Sequence, residues 1–408
     1  MIVVDSDVIS ELTRQTPAPE MISWLDSLAA DEVVTTAITA AELLYGVARL
    51  PDGRRKTELT TSVRGLLSED FHGRILCFDE PSASRYADRC PRDPQHQRLR
   101  GNWCRADQPV EGAWPVTDEN SAMPAAFTYP SADGTLITAY RWEPAASPRA
   151  IVQLTHGMGE HARRYDHVAR TLTDAGYVVY AQDHRGHGQS VLGEPGDLGD
   201  DGWTALVADI GGLSAVARAE HPGLPLILLA HSMGSFAAQQ YLLDHGRDLD
   251  GVILTGTAVL DLLEPALDLD QPLDLAMFNA PFAPARTDYD WLSRDEAIVD
   301  AYVADPLCGF GIDTASAKAM FAGARRLADA DAVAAIPGNL PVYIAAGEMD
   351  PVNAGLALLT PLAERLRDAG LTDVTVVTYS GARHEILNET NRDEVLGSIV
   401  DWIGPIAG

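Results

Sequence analysis

Short apolar runs alternate with helical patterns over the C-terminal two thirds of the chain. Two runs from about residue 125 predict a hairpin, and six more predict buried strands: AAFTY and TLITAYRW, then IVQLTHG, GYVVYAQDH, LPLILLAHS, GVILTGTA, PVYIAAGEMD and VTVVTYSGARH. Segments with apolar residues at helical spacing lie between most of these strands, as at 204–220 and 355–369. Continuous apolar strands between helices predict a mostly parallel sheet that is covered on both faces.

The first 120 residues follow a different pattern. Residues 2–4 predict a buried strand, and helices are predicted at 6–12 and 37–47. Residues 89–120 are rich in proline, glutamine and tryptophan and show neither helical nor strand periodicity, which predicts a linker. We therefore predict three parts: an incomplete α/β fragment at 1–88, an irregular linker at 89–120 and a complete α/β domain at 121–408.

Composition excludes several classes of protein. The 408 residues include 59 acidic and 30 basic side chains, a formal net charge of −29, and this surface repels phosphate backbones, so we expect no nucleic-acid partner. The four cysteines lack the paired spacing of a zinc ribbon or a disulfide framework. With no signal peptide or apolar span in the sequence, we expect a cytoplasmic protein.

The stretch LPLILLAHSMGSFAAQQY carries the clearest chemical signal. An apolar strand runs into Ser232, a small-residue helix follows, and Ala230 and Gly234 flank the serine two positions away. Small neighbours allow the strand and helix backbones to come close, which leaves a nucleophilic serine strained and exposed above the sheet. An ordinary tight turn between a strand and a helix is the alternative reading of these five residues.

Two further residues follow predicted strands in the order that a serine nucleophile of this type requires. Asp350 comes after PVYIAA, and His384 comes after VTVVTYS. Histidine can remove the serine proton near neutral pH, and a buried carboxylate fixes its tautomer. Taken alone, Asp350 could instead cap a helix. The joint order and the strand-end positions predict a Ser232–His384–Asp350 triad.

The turn THGMGEHARRY after the strand IVQL predicts an oxyanion hole. Glycines flank Met158, which frees its backbone N–H, and the Met233 N–H at the start of the helix after Ser232 would be the second donor. His156, His161 and His167 fit structural roles better than catalytic ones. No carboxylate pattern accompanies the histidines of DHRGHGQS, so we predict no metal and no other cofactor.

These motifs resemble the monoacylglycerol lipase and lysophospholipase family of serine α/β-hydrolases. HGMGEHARRY, AQDHRGHGQS, AHSMG, GEMDP and GARHEILNE stand in the family's order and spacing across 121–408. The resemblance implies an α/β-hydrolase fold with Ser232 as nucleophile, His384 as acid and base, and Asp350 as orienting carboxylate. Ala230 replaces the usual first glycine of the turn, and Met158 occupies the variable position of HGxGE.

Between about 257 and 337 the strand–helix alternation stops. An insertion this long is expected to form a helical cap over the active site, with apolar residues such as Met277, Phe278 and Phe282 among its acids and prolines. The expected partner is a small acyl ester, and the cap could contact a lipid surface transiently. The acidic surface favours neutral monoglycerides over lysophospholipids, although a lysophospholipase or a short-chain esterase stays open.

MIVVDSDVISEL and ITAAELLYGVARL resemble the N-terminal part of VapC-like PIN-domain ribonuclease toxins. The resemblance covers residues 1–88 and implies that Asp5 and Glu42 help to hold a divalent metal ion, but the later unit with the remaining acids is absent. A metal-dependent ribonuclease is therefore the competing functional class, and an inactive remnant is the preferred interpretation. The abrupt change in composition also suggests two fused reading frames.

Overall fold

The computed structural model describes residues 124–408 except 192, 272 and 274, and earlier only residues 2–3, 33–36, 39, 56 and 75–76. Contacts divide the chain into two units, Met1–Gln108 and Pro109–Gly408. In the first, strands Ile2–Val3, Val33–Thr36 and Ile75–Leu76 pair in parallel in that order. Residue 39 is helical; the rest of the two helices predicted there, Asp5, Glu42 and the linker lie outside the described residues.

The second unit is built on an eight-stranded sheet. Its strands are β1 Ala125–Pro130, β2 Leu136–Trp142, β3 Ala150–Thr155, β4 Tyr177–Gln182, β5 Leu226–His231, β6 Gly251–Thr255, β7 Val342–Gly347 and β8 Val374–Tyr379. Their spatial order is β1-β2-β4-β3-β5-β6-β7-β8. The β1–β2 and β2–β4 pairs are antiparallel and the other pairs are parallel, so the predicted hairpin and the six predicted strands are all present.

Helices cover both faces of this sheet. They are α1 Asp166–Asp174, α2 Gly202–Glu220, α3 Met233–His245, α4 Leu260–Leu263, α5 Glu296–Ala304, α6 Thr314–Ala324, α7 Ala330–Val333, α8 Thr360–Asp368 and α9 Arg392–Ala407. Short 3-10 turns occur at Ala162–Tyr165, Gly188–Ser190, Gly246–Asp248, Glu264–Ala266, Leu275–Phe282, Arg325–Ala328 and Ile386–Asn388. Within the described part of the chain, no helix combines the length and the apolar character needed to cross a membrane.

The core explains why the central strands read as continuous apolar runs. Along β5, Leu226, Leu228 and Ala230 pack into the cluster on one face, while Ile227 and Leu229 pack into the cluster on the other. Alternate side chains of a strand point to opposite faces, so a strand covered on both faces is apolar at most of its positions. The fold is the predicted α/β-hydrolase arrangement.

Short helices and turns form the cap. Outside the cap, one helix is shorter than the sequence predicted. The pattern at 355–369 predicted a helix across the whole stretch, but α8 begins only at Thr360. Ala354, Gly355 and Leu356 have positive φ angles of 54°, 60° and 74°. A right-handed helix cannot include left-handed residues, so these positions form a turn beside Asp350 instead.

Candidate active site

Ser232 lies at the sharp junction between β5 and α3. Its φ of 51° and ψ of −122° are unusual for a residue with a side chain, and it is half-buried where its neighbours are buried. A Cβ atom on Gly234 would stand 2.5 Å from the His156 carbonyl oxygen and 2.7 Å from that of Thr155, so only glycine fits there. This close approach is the physical reason for the small residues around the serine.

A hydrogen-bonded chain links the three residues that the sequence singled out. The Ser232 hydroxyl donates to His384 Nε2 at 2.8 Å, and His384 Nδ1–H donates to Asp350 Oδ1 at 3.0 Å. Asp350 and His384 are almost completely buried. The three side chains come from the carboxyl ends of β5, β7 and β8, which lie in the same half of the sheet. The structure therefore brings the predicted residues together in bonding geometry.

The surroundings of His384 adjust its basicity. Burial alone would lower its pKa, but the charge and hydrogen bond of Asp350 raise the pKa above its ordinary value. Two further donors hold that carboxylate in place: the Val352 N–H bonds to Oδ1 at 2.9 Å, and the Asn353 amide bonds to Oδ2 at 3.3 Å. A fixed, charged Asp350 keeps the proton on Nδ1, which leaves Nε2 free to accept one from the serine.

The predicted oxyanion donors stand on either side of Ser232. Met158 and Met233 both line the pocket that contains the serine. Within the described residues, neither N–H donates to a backbone or side-chain acceptor. Glu160 fixes the turn that carries Met158, because its Oε1 accepts hydrogen bonds from the Gly157 N–H at 2.5 Å and from the Tyr165 hydroxyl at 2.7 Å.

A buried ion network below this turn was not anticipated from the sequence. Arg164 bonds to Glu160 and makes a two-pronged contact with Glu385 at 2.6 and 2.7 Å, and all three side chains are essentially inaccessible to solvent. Glu385 follows His384 directly, so the network connects the turn that carries Met158 to the loop that carries His384. Burial would raise the pKa of Glu385, but Arg164 holds it at about 2. The residues of this network lie in the sequence motifs HARRY and ARHE, but nothing in the sequence indicates that these two motifs contact each other.

The other histidines of these turns occupy structural positions. His156 Nε2 accepts from the His184 N–H at 3.0 Å, and a ring nitrogen of His184 lies 3.1 Å from the His156 carbonyl oxygen. Burial lowers the pKa of both, and of His187 to about 4. His161 bonds to Asp305 of the cap at 2.9 Å, and His167 bonds to the Leu387 carbonyl at 2.8 Å. These contacts match the structural interpretation.

Two groups of the described residues have the spacing of metal ligands. Potential ligand atoms of Glu160, His231 and Glu385 lie within 4.8 Å of one another, as do those of His161, Asp305 and Cys308. In the first group, Arg164 already bonds to both carboxylates. In the second, the hydrogen bond between His161 and Asp305 joins the turn that follows Met158 to the cap.

An apolar pocket opens directly onto Ser232. Its walls come from α3, from the loop after Asp350 and mainly from the cap, and they comprise Met158, Met233, Phe236, Leu260, Leu263, Leu267, Leu273, Leu275, Met277, Phe278, Trp291, Met320, Phe321 and Val352. Met277 and Phe278, which the sequence placed in the cap, are therefore at the site. Ser232, whose hydroxyl is bonded to His384, therefore lies at a pocket with mainly apolar walls.

Comparison with known proteins identifies the family of this part of the chain. Residues 146–391 match the hydrolase family described as "Serine aminopeptidase, S33". The chain belongs to this family. It is 34% identical to the monoacylglycerol lipase of Mycolicibacterium smegmatis over 64% of the chain and 90% of that enzyme, and 32% identical to human monoglyceride lipase over 64% and 83%. A carboxyl esterase of Bacillus coagulans, solved with glycerol, superposes with a TM-score of 0.63 at 30% identity, covering 71% of the chain and all of the esterase.

The N-terminal segment matches a second family. Residues 2–94 match the PIN domain. Over 87 residues the chain is 46% identical to toxin FitB of Neisseria gonorrhoeae, which corresponds to 21% of this chain and 63% of the toxin. The expected resemblance to PIN toxins is confirmed, and the matched segment spans less than two thirds of that relative.

Proposed function

We propose that the chain is a serine carboxylic-ester hydrolase that cleaves monoacylglycerol-like esters through an acyl-enzyme. The observation that carries the proposal is the hydrogen-bonded chain from Ser232 through His384 to Asp350 at the mouth of an apolar pocket. Its relatives with lipase and esterase names support the same class of reaction.

The geometry supports the following sequence of steps. His384 Nε2 takes the proton of Ser232 as Oγ attacks the ester carbonyl, and the N–H groups of Met158 and Met233 bind the resulting oxyanion. Asp350 stabilises the imidazolium. His384 then gives its proton to the departing alcohol, which leaves an acyl group on Ser232, and a water molecule activated by the same histidine releases the acid.

The pocket and the charge of the chain indicate the substrate class. Each methylene group of an acyl chain that enters the apolar pocket contributes roughly 0.8 kcal/mol. The net charge of −29 disfavours an anionic headgroup, so a neutral monoglyceride suits the site better than an anionic lysophospholipid. Met277 and Leu262 of the cap are about half exposed, which supports transient contact of the cap with a lipid surface.

Replacing the nucleophile tests the proposal. Ser232→Ala should abolish hydrolysis of p-nitrophenyl butyrate and of monoacylglycerols, and it should prevent labelling by a fluorophosphonate, which reacts only with an activated serine. Ser398→Ala is the matched control, because Ser398 lies on α9 outside the lining of the Ser232 pocket, and its hydroxyl donates to the Glu394 carbonyl oxygen. Substantial hydrolysis by a folded Ser232→Ala protein would exclude the mechanism. A panel of monoglycerides, lysophospholipids and simple esters would rank the substrate classes.

The PIN match favours one second candidate, a Mg²⁺-dependent ribonuclease in the N-terminal segment. Its signature is RNA cleavage that is lost on Asp5→Ala and is unaffected by Ser232→Ala.

We propose the boundaries 1–88, 89–120 and 121–408 for the three parts and 257–337 for the cap. Resequencing the coding DNA and measuring the mass of the native protein test the hypothesis of two fused reading frames. A continuous message and a full-length native product would show that the fusion is not an artefact.

A further inference from the structure

Trp291 is a cap residue that stands beside the catalytic histidine. Its side chain is only 4% exposed, it lines the pocket with Ser232, and its ring centroid lies 4.9 Å from that of His384. Two backbone contacts fix this position: the Trp291 N–H donates to Asn279 Oδ1 at 2.9 Å, and its carbonyl oxygen accepts from the His384 N–H at 3.3 Å. The backbone of Trp291 is therefore fixed beside His384.

The indole N–H of Trp291 is a buried donor with no acceptor among the residues that the structure describes. Two other buried tryptophans show what is usual in this protein. The Trp142 Nε1–H donates to Asp166 and the Trp203 Nε1–H donates to Gln240, each at 2.9 Å. Buried tryptophan N–H groups generally find a partner, because an unpaired buried donor costs stability. The exception lies at the one of these three tryptophans that faces the substrate pocket.

The chemistry of an ester restricts what this donor can meet. Indole N–H is a neutral donor and cannot accept, so its partner in an ester substrate must be an oxygen. The carbonyl oxygen of the ester belongs to the oxyanion donors, and the acyl chain offers only hydrocarbon. The bridging oxygen of the ester is the atom that His384 protonates, and Trp291 is in contact range of that ring. The remaining acceptors are hydroxyl oxygens near the ester bond.

We propose that the Trp291 indole N–H donates a hydrogen bond to a hydroxyl oxygen in the alcohol portion of the substrate. Trp291 thereby selects esters of polyols over esters of plain alkanols that carry the same acyl chain. A site built to hydrogen-bond a substrate group rejects analogues that lack the group, because its own buried donor is left unpaired. This inference rests on the proposed ester hydrolase function and assigns the specificity of that site.

Trp291→Phe removes the donor and keeps an aromatic ring in place. The substrates are 1-decanoylglycerol and ethyl decanoate, which share an acyl chain; the alcohol portion carries two free hydroxyl groups in the first and none in the second. For the glycerol ester we expect kcat/KM to fall by roughly 3- to 10-fold, the loss of one neutral hydrogen bond, and for the ethyl ester to change less than twofold. Trp203→Phe is the matched control, because it removes a core donor and should leave the ratio of the two rates unchanged.

The isosteric replacement of Trp291 by 3-benzothienylalanine, which lacks only the N–H, repeats the measurement if the phenylalanine variant does not fold. An unchanged ratio of the two rates in either folded variant would overturn the proposal and assign the N–H to water or to the neighbouring Phe278 ring. Equal losses on both esters would also overturn it, since they would indicate a role in packing. If the wild-type protein hydrolyses neither ester and resists the fluorophosphonate, the proposed function itself fails, and the inference with it.

Discussion

Arg164 provides the strongest test of how this active site is held together. Its side chain is fully buried between Glu160 and Glu385 and stacks on the Tyr302 ring at 4.7 Å. Arg164→Ala removes the cation and three charge-assisted hydrogen bonds, and it leaves two carboxylates facing each other out of water. Removing one partner of a buried ion pair costs about 3–5 kcal/mol, so we expect a loss of that size in unfolding free energy at pH 7.

The pH dependence of this loss identifies its cause. In the wild-type protein the pKa of Glu385 is about 2, below its unfolded value, so its stabilising contribution is present above pH 4.5 and is lost as the pH falls toward 2. Without Arg164, burial and Glu160 raise the pKa of Glu385 above the unfolded value. The variant is then penalised as the pH rises, and its deficit should shrink from pH 7 to pH 5.

Urea unfolding of the full chain, followed by tryptophan fluorescence, measures both effects. Arg326→Ala is the matched control, because Arg326 pairs with Asp244 on the surface, where both side chains are about half exposed. An exposed pair of this kind contributes at most about 1 kcal/mol. A cost below 1 kcal/mol for Arg164→Ala, or a cost that does not depend on pH, would refute the reasoning.

Three further predictions concern the catalytic groups. Gly234→Ala should abolish activity or folding, because its Cβ would overlap two carbonyl oxygens. Its control is Gly397→Ala, which has open space around it on α9 and should raise the stability by about 0.5–1 kcal/mol. Thermal unfolding compares the two variants. Asn353→Ala removes a donor from Asp350 and should lower kcat roughly 3- to 10-fold with KM unchanged, and an effect on KM alone would contradict this role. Because Asp350 raises the pKa of His384 and catalysis needs the neutral ring, kcat/KM should decline as the pH falls through a midpoint above 6.5; a lower midpoint would contradict the assignment.

The sheet could be predicted because its strands satisfy one simple physical condition. Strands β3 to β7 are buried at every residue, so each appears as a mainly apolar run that needs no information from elsewhere in the chain. The turn at 354–356 shows the limit of that reasoning. Leu356 packs partly against the core with a φ of 74°, and an apolar residue at helical spacing gives no sign of a left-handed backbone.

In the candidate site, too, some residues could be predicted from the sequence and others could not. Ser232, Asp350 and His384 could be singled out because each follows its own strand, and parallel strands deliver their carboxyl ends to one edge. The ion network could not be found this way, because Arg164 and Glu385 are 221 positions apart and the neighbouring Arg163 is chemically identical. Arg163 is about one third exposed and lies over the Tyr140 ring at 5.7 Å. Only the direction of the 3-10 turn decides which arginine enters the core.

The cap bonds to the segments that carry the predicted catalytic residues, and it also forms the wall of a pocket. The Gly159 carbonyl oxygen, in the turn that carries Met158, accepts hydrogen bonds from the Tyr302 hydroxyl at 2.8 Å and from the Gly309 N–H at 2.9 Å. On the other side, Trp291 is bonded to the backbone of His384. The turn that carries Met158 and the loop that carries His384 are therefore both anchored to the same insertion. Changes in the cap should consequently alter the rate of the chemical step together with substrate choice, because catalytic groups must be held within fractions of an ångström.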